Sequence, residues 1–230
     1  MRDTNPRDLK TKALVLRRTN YGEADRIVNL ITPSGKVSAM AKGVRRSKSK
    51  LAGGIEMFTL VEVNLHFGKS DMATLTGAKM VRFYGGLLKD LTRMEKATEF
   101  LKEINRAAET VDSPEFFEIL DKSLAKLSDG ADLNLVEAWF LLNLARAMGE
   151  QINLYTDVNG DKLDAGKRYR WDEQEMGLAP HEYGLIDENA IKLMRLMWTM
   201  DLMVVSRVKN ADKYMPEILK IAQAVKKVVK

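Results

Sequence analysis

Five cations fall within nine residues at Lys42-Gly-Val-Arg45-Arg46-Ser-Lys48-Ser-Lys50, a stretch with almost nothing apolar to bury. Phosphate is the natural counter-charge for such a loop at neutral pH, so the chemistry it suggests is polyanion binding; a solvated charge run is the plain alternative. Residues that could make or break bonds are less well arranged. The chain has no cysteine, which excludes disulfides, thiolate nucleophiles and cysteine-ligated zinc. Its two histidines, His66 and His181, lie in different predicted domains and are a poor source for a triad. Gly53-Gly54 and Gly85-Gly86 lack the Gly-Lys-Ser/Thr ending of a P-loop. Asp157, Asn159 and Asp161 imitate the start of a calcium loop, but Lys162 stands where glycine is required and Arg168 where a carboxylate is required. No catalytic residue, cofactor or metal site is expected.

The segments on either side of the basic loop read as strands. Ala13-Leu-Val-Leu16 is a short apolar run, and Arg26–Ile31 and Lys36–Ala41 flank a hairpin turn at Pro33-Ser-Gly35. Val61, Val63, Leu65 and Phe67 alternate with Glu62, Asn64 and His66, which predicts a strand with one buried face. Met72–Ala78 makes a fifth. Five short strands in some 75 residues with glycine-bearing turns predict a small closed barrel. Such a barrel holds the loop cations Lys42, Arg45, Arg46, Lys48 and Lys50 on a platform suited to single-stranded nucleic acid, where cations follow phosphates and exposed rings stack on bases. Arg17, Arg18 and Lys36 extend the track. Tyr21, in the first inter-strand loop, is either a stacking ring or a packed core ring.

From about Thr92 the period becomes helical. Thr92-Arg-Met-Glu95 reads as a capping box, followed by Met94, Ala97, Leu101 and Ile104 at spacings of three and four. Ser113-Pro114 opens a second helix ending near Gly130, and Leu133 to Ala147 makes a third closed by Gly149. Asp187 caps a fourth that carries Ile191, Met194, Trp198, Leu202 and Val205; Ile218, Ile221, Val225 and Val228 mark the last. These stripes are core faces of a helical bundle. The expected fold class is therefore α+β: a barrel domain over 1–84, then a helical domain over 85–230 with an irregular insert at about 150–185.

Charge supports a split role. Residues 1–50 hold thirteen Lys/Arg against four Asp/Glu, whereas the rest of the chain holds 24 against 28; a polyanion partner is expected for the basic head only. Met1–Pro6 has no apolar core like that of a secretory signal, and no apolar stretch approaches the roughly 20 residues that cross a bilayer. A cytoplasmic protein with no membrane partner is expected.

Tyr21-Gly-Glu-Ala-Asp25, Gly35-Lys36, Ala41-Lys-Gly-Val-Arg-Arg-Ser-Lys-Ser49 and Ile55-Glu-Met-Phe58 resemble, in order and spacing, the N-terminal domain of the RecO family of recombination mediators. The resemblance is specific over residues 10–80; the helical remainder agrees in length and character. It implies an OB-fold barrel followed by a helical domain, a non-catalytic and nucleoid-associated role, binding of single- and double-stranded DNA, and annealing of complementary strands. It also implies cooperation with RecR to load RecA onto strands coated by single-stranded DNA-binding protein, whose acidic tail the helical domain would capture; Arg106 and Arg146 are candidates for that groove's rim. Many members carry a four-cysteine zinc site in the segment corresponding to Gly149–Gly184. This chain cannot, so Tyr155, Tyr169, Trp171 and Leu178 are expected to pack a small hydrophobic substitute. Two other readings stand on the residues alone: an RNA-binding factor of translation or processing, and an interaction scaffold whose basic head meets an acidic protein.

Overall fold

Five strands form a closed barrel in the order β1-β2-β3-β5-β4: β1 (Asp8–Tyr21), β2 (Asp25–Thr32), β3 (Gly35–Ala41), β4 (Thr59–His66) and β5 (Ala73–Phe83). The computed structural model describes residues 7–49, 51–70 and 72–228. All neighbours are antiparallel except β3 and β5, which run parallel over Ala39↔Ala73 and Met40↔Thr74. Closure depends on the length of β1. Its first half, from Asp8 to Leu14, pairs with β4, and its second half, from Leu14 to Tyr21, pairs with β2. The strand is therefore much longer than its apolar run, because cross-strand pairing on both sides carries Lys10, Lys12, Arg17 and Arg18 into the sheet.

Alternation fills the barrel. Ala13, Val15, Val28, Leu30, Val61, Val63 and Leu65 point inward as one buried cluster. Leu14, Leu16 and Ile31 are also buried but belong to the opposite face. That face is covered by two helices, α1 (Leu91–Thr110) and α2 (Glu115–Ser128), which pack on β1 and its neighbours. The switch from strands to helices falls at residues 83–85, yet the two compact units of the chain divide between Asp129 and Gly130. The first two helices thus group with the barrel, because β1 and β2 present an apolar outer face that would otherwise meet water.

At the β2–β3 turn, Gly35 takes φ +109°, a conformation costly for any residue with a Cβ, and Thr32 Oγ1 donates to its carbonyl. Where β5 ends, Tyr84 is buried and its hydroxyl donates to the Asp121 carboxylate on α2. Burial first, and the adjacent carboxylate second, push the Tyr84 phenol well above its ordinary range. The cap of α1 is Asp90, whose side chain accepts from the Arg93 amide, and not Thr92. Asp90 has the extended backbone that a cap requires, while Thr92 already lies inside the helix. Ser113 Oγ accepts from the Glu115 amide at the start of α2, and Gly130 lies just past its end with φ +84°.

The second unit contains α3 (Leu133–Ala147), a hairpin of β6 (Tyr169–Asp172) and β7 (Gly177–Pro180), α4 (Glu188–Thr199), the short α5 (Leu202–Val205) and α6 (Met215–Val228). Every residue of α3 from Leu135 to Ala145 is buried, so it is the central helix, packed by α4 and α6. The expected single helix through Asp187–Val205 is instead broken at Met200–Asp201. Helix ends leave carbonyls without partners, and here α3 supplies them: Asn143 Nδ2 donates to the Met197 carbonyl at 2.9 Å and Trp139 Nε1 to that of Met200 at 2.9 Å. Asp201 then caps α5 by accepting from the Met203 amide. No described helix is long and apolar enough to cross a membrane.

In the insert, Tyr169 and Leu178 are fully buried and Trp171 is half-buried opposite Leu178 in the hairpin. Tyr155 does not join them. It is 65% exposed, with the Arg195 guanidinium 4.7 Å above its ring. The polar residues that imitate a calcium loop are used as turn caps: Asp157 Oδ1 accepts from the amides of Asn159 and Asp161 at 2.8 and 3.1 Å. Among the described residues no group of three His, Asp or Glu stands close enough to hold a metal ion.

Candidate nucleic-acid interface

The basic loop is anchored by its backbone. Gly43, at φ +63°, gives its amide to the Asp25 carboxylate at 2.6 Å, and the Arg45 amide donates to the Ala24 carbonyl at 2.8 Å. Between them Val44 is 2% exposed and belongs to the barrel core. The loop therefore buries the one apolar side chain it carries, and that plug is what fixes it. Two turns follow, from Arg46 N to Gly43 O and from Ser49 N to Arg46 O. With these groups satisfied by the backbone and Asp25, the Lys42, Arg45, Arg46 and Lys48 side chains are left exposed. Lys50 lies outside the described residues.

The loop sits against the β1–β2 hairpin, because Arg45 also donates from Nη1 to the Gly22 carbonyl at 3.2 Å. Tyr21 is on that hairpin and is 55% exposed, which places it beside the cations and outside the core. The reason is a β-bulge. Val15 faces Leu30 but Arg17 faces Asn29, so Leu16 is an extra residue. Ala13 and Val15 point inward, and simple alternation would carry Arg17, Thr19 and Tyr21 inward after them. The extra residue reverses the phase and turns that row outward.

The other track residues have different partners. Arg18 faces Val28 across the pair and its Nη1 meets Glu56 Oε2 at 2.6 Å, so its charge is matched locally. Lys36, whose side chain is only 15% exposed, reaches α1, where Nζ donates to the Asn105 carbonyl at 3.1 Å and to Glu109 Oε1 at 3.0 Å. Hydrogen bonding and the charge of Lys36 hold the Glu109 carboxyl below its ordinary value. Lys36 is thus a clamp between β3 and α1 and is separated from the loop cations. Arg17 is exposed and lies with Lys102, Thr98 and Asn105 along a groove between β1 and α1. Arg106 is paired with Glu103 on α1, and Arg146 stands in the last turn of α3.

Sequence reasoning missed the two residues that anchor the loop, Asp25 and Val44, and the place of Lys102 along the groove. The signal for Val44 was present, a lone β-branched residue between a glycine and two arginines. Nothing in one sequence distinguishes Asp25 as an anchor, or Lys102 from any other lysine on a helix.

The chain matches the family described as recombination protein O, N terminal, over residues 6–84, the whole barrel. It is 30% identical over 224 residues to a DNA repair protein RecO of Dehalococcoides mccartyi (strain CBDB1), covering 94% of this chain and 88% of that protein. A RecO of Heliobacterium modesticaldum is 31% identical over 222 residues, covering 91% and 80%. One of Anaeromyxobacter sp. (strain K) is 38% identical over 147 residues, covering 61% and 57%. Similarity that runs through both the barrel and the helices, joined to an OB-type barrel with an anchored basic loop, makes this chain a member of the RecO family of DNA repair proteins.

Proposed function

We propose that the protein is a non-catalytic mediator that binds single- and double-stranded DNA through the basic loop and anneals complementary strands. Neutralising phosphates with Lys42, Arg45, Arg46 and Lys48 lets two like-charged strands approach, while Tyr21 offers a face for transient stacking and leaves base edges free to pair. The observation that carries this reading is the rigid presentation of the loop: four exposed cations on a backbone pinned at Gly43, Val44 and Arg45, beside an exposed ring. Family membership supports the finer steps: partnership with RecR, capture of the tail of single-stranded DNA-binding protein, and loading of RecA in a nucleoid-associated, cytoplasmic setting.

The test is the salt dependence of binding to a single-stranded oligonucleotide. If the five loop cations each contact a phosphate, the slope of log affinity against log salt approaches about −3.5, and replacing Arg45, Arg46 and Lys48 together with Ala flattens it by about two units. Annealing of complementary strands should fall in parallel. An unchanged slope retires the loop, and a marked preference for RNA over DNA of equal length moves the protein out of repair.

A further inference from the structure

We propose that the groove between β1 and α1 accepts one nucleotide of the bound strand, its base on an apolar floor and its phosphate between Arg17 and Lys102. The inference rests on the strand-binding reading above and names a second subsite for it. The groove encloses about 460 Å³, within the roughly 300–1,000 Å³ typical of small-ligand sites. Met57 is half-buried at the groove, Leu16 and Leu101 close its floor almost fully buried, and Arg17, Arg18 and Lys102 supply the charge. Arg18 is already matched by Glu56. Among the described residues neither Arg17 nor Lys102 has a hydrogen-bond or salt-bridge partner; Arg17 feels the charge of Glu109, which is already paired with Lys36, so the groove keeps a net positive charge beside an apolar surface. That is the complement of a nucleotide: a flat ring of low charge with an anion attached.

Asn105 adds selectivity for a base over a plain apolar anion. Its side-chain amide makes contacts to Asn29 and Glu109 at 3.4 Å each, the long limit for a hydrogen bond. An amide carries two donor hydrogens and two acceptor lone pairs, so it retains capacity to meet a base edge. Continuity argues for a strand and against an unrelated anion. The bulge puts Arg17, Thr19 and Tyr21 in one outward row, and four strand residues span about 13 Å. A strand leaving Arg45 at the hairpin and passing Tyr21 therefore reaches Arg17 and the groove directly.

The experiment uses the full chain and single-stranded oligodeoxynucleotides carrying one 2-aminopurine or one abasic position, moved stepwise along the strand. In the wild type, one position should brighten on binding as its base leaves the stack, and an abasic site there should weaken binding by about tenfold. Thr98→Phe, which fills the groove, should abolish both effects while the loop still binds. Lys102→Ala should flatten the salt slope by about 0.7. Lys102→Glu, an exposed helix position, provides the test should the filled variant misfold: unchanged affinity and unchanged 2-aminopurine signal overturn the proposal. So does an acidic peptide with a terminal aromatic that binds the wild type, is lost in Lys102→Glu and does not compete with DNA, for the groove is then a peptide site. Failure of the wild type to bind any single strand would instead sink the strand-binding reading, a result separable from loss of the subsite alone.

Discussion

The basic loop after β3 and the polar turns of the insert before α4 are both irregular, yet they use their polar groups in opposite ways. In the insert, side chains hold the backbone: Asn153 and Asp157 each accept two backbone amides, and the Tyr169 hydroxyl accepts the Asp164 amide. In the loop, the backbone is held mostly by other backbone, by Asp25 and by Val44; of its described cations Arg45 also ties it to the Gly22 carbonyl, while Lys42, Arg46 and Lys48 are left outside. A polar segment becomes a binding surface when something other than its functional side chains determines its shape. By that criterion the loop is the candidate surface and the turn around Asp157 is scaffold.

The comparison can be broken most sharply at Val44. Val44→Asp puts an unpaired carboxylate in the barrel core and should destabilise the first unit by about 3 kcal/mol, measured by urea unfolding. DNA affinity should fall although every cation remains. Asp25→Ala removes the acceptor for Gly43 and should cost about 1.5–3 kcal/mol. It also deletes a negative charge near the loop, so a free charge run would bind DNA more tightly; an anchored loop binds less tightly. On the other side, Asp157→Ala, which takes a charged acceptor from two amides, should cost a similar amount, about 1.5–3 kcal/mol, and leave the DNA salt slope unchanged. A flattened slope there would dissolve the distinction between the two segments.

The smallest effect concerns Glu109 and Lys36. Because the folded carboxyl of Glu109 titrates below its unfolded value, the contact stabilises at pH above the unfolded pKa and fades as pH falls through the folded one. Glu109→Gln should therefore lower the Tm slightly near neutrality and have no effect in strong acid, with the DNA slope unchanged at any pH. A changed slope would bring Lys36, or Arg17, whose charge also acts on Glu109, into the DNA track.

Much of this architecture is legible in one sequence where a single face decides the pattern. Val61, Val63 and Leu65 alternate because β4 has one buried side, and Pro33-Ser-Gly35 marks its turn because only glycine suits φ +109°. Legibility ends where tertiary partners intervene. The break at Met200 depends on Asn143 and Trp139 taking carbonyls from a helix some fifty residues away. The direction of Lys36 depends on α1 lying over β3, and nothing local distinguishes it from Lys48. The site shows the same division. The cations were readable as a cluster, but the groove that includes Lys102 exists only once α1 has packed on the outer face of the barrel.

The bulge at Leu16 makes the place of a lost residue in β1 as consequential as its type. Loss of that one codon would leave Val15 against Leu30 and Arg17 against Asn29 in an unbroken ladder, so Arg17, Thr19 and Tyr21 would keep their outward face while the bulge and one buried apolar side chain were lost. Substitutions trim such a surface one group at a time; a frame-preserving deletion past the bulge, at Arg18, is the change that would carry Thr19 and Tyr21 to the inner face.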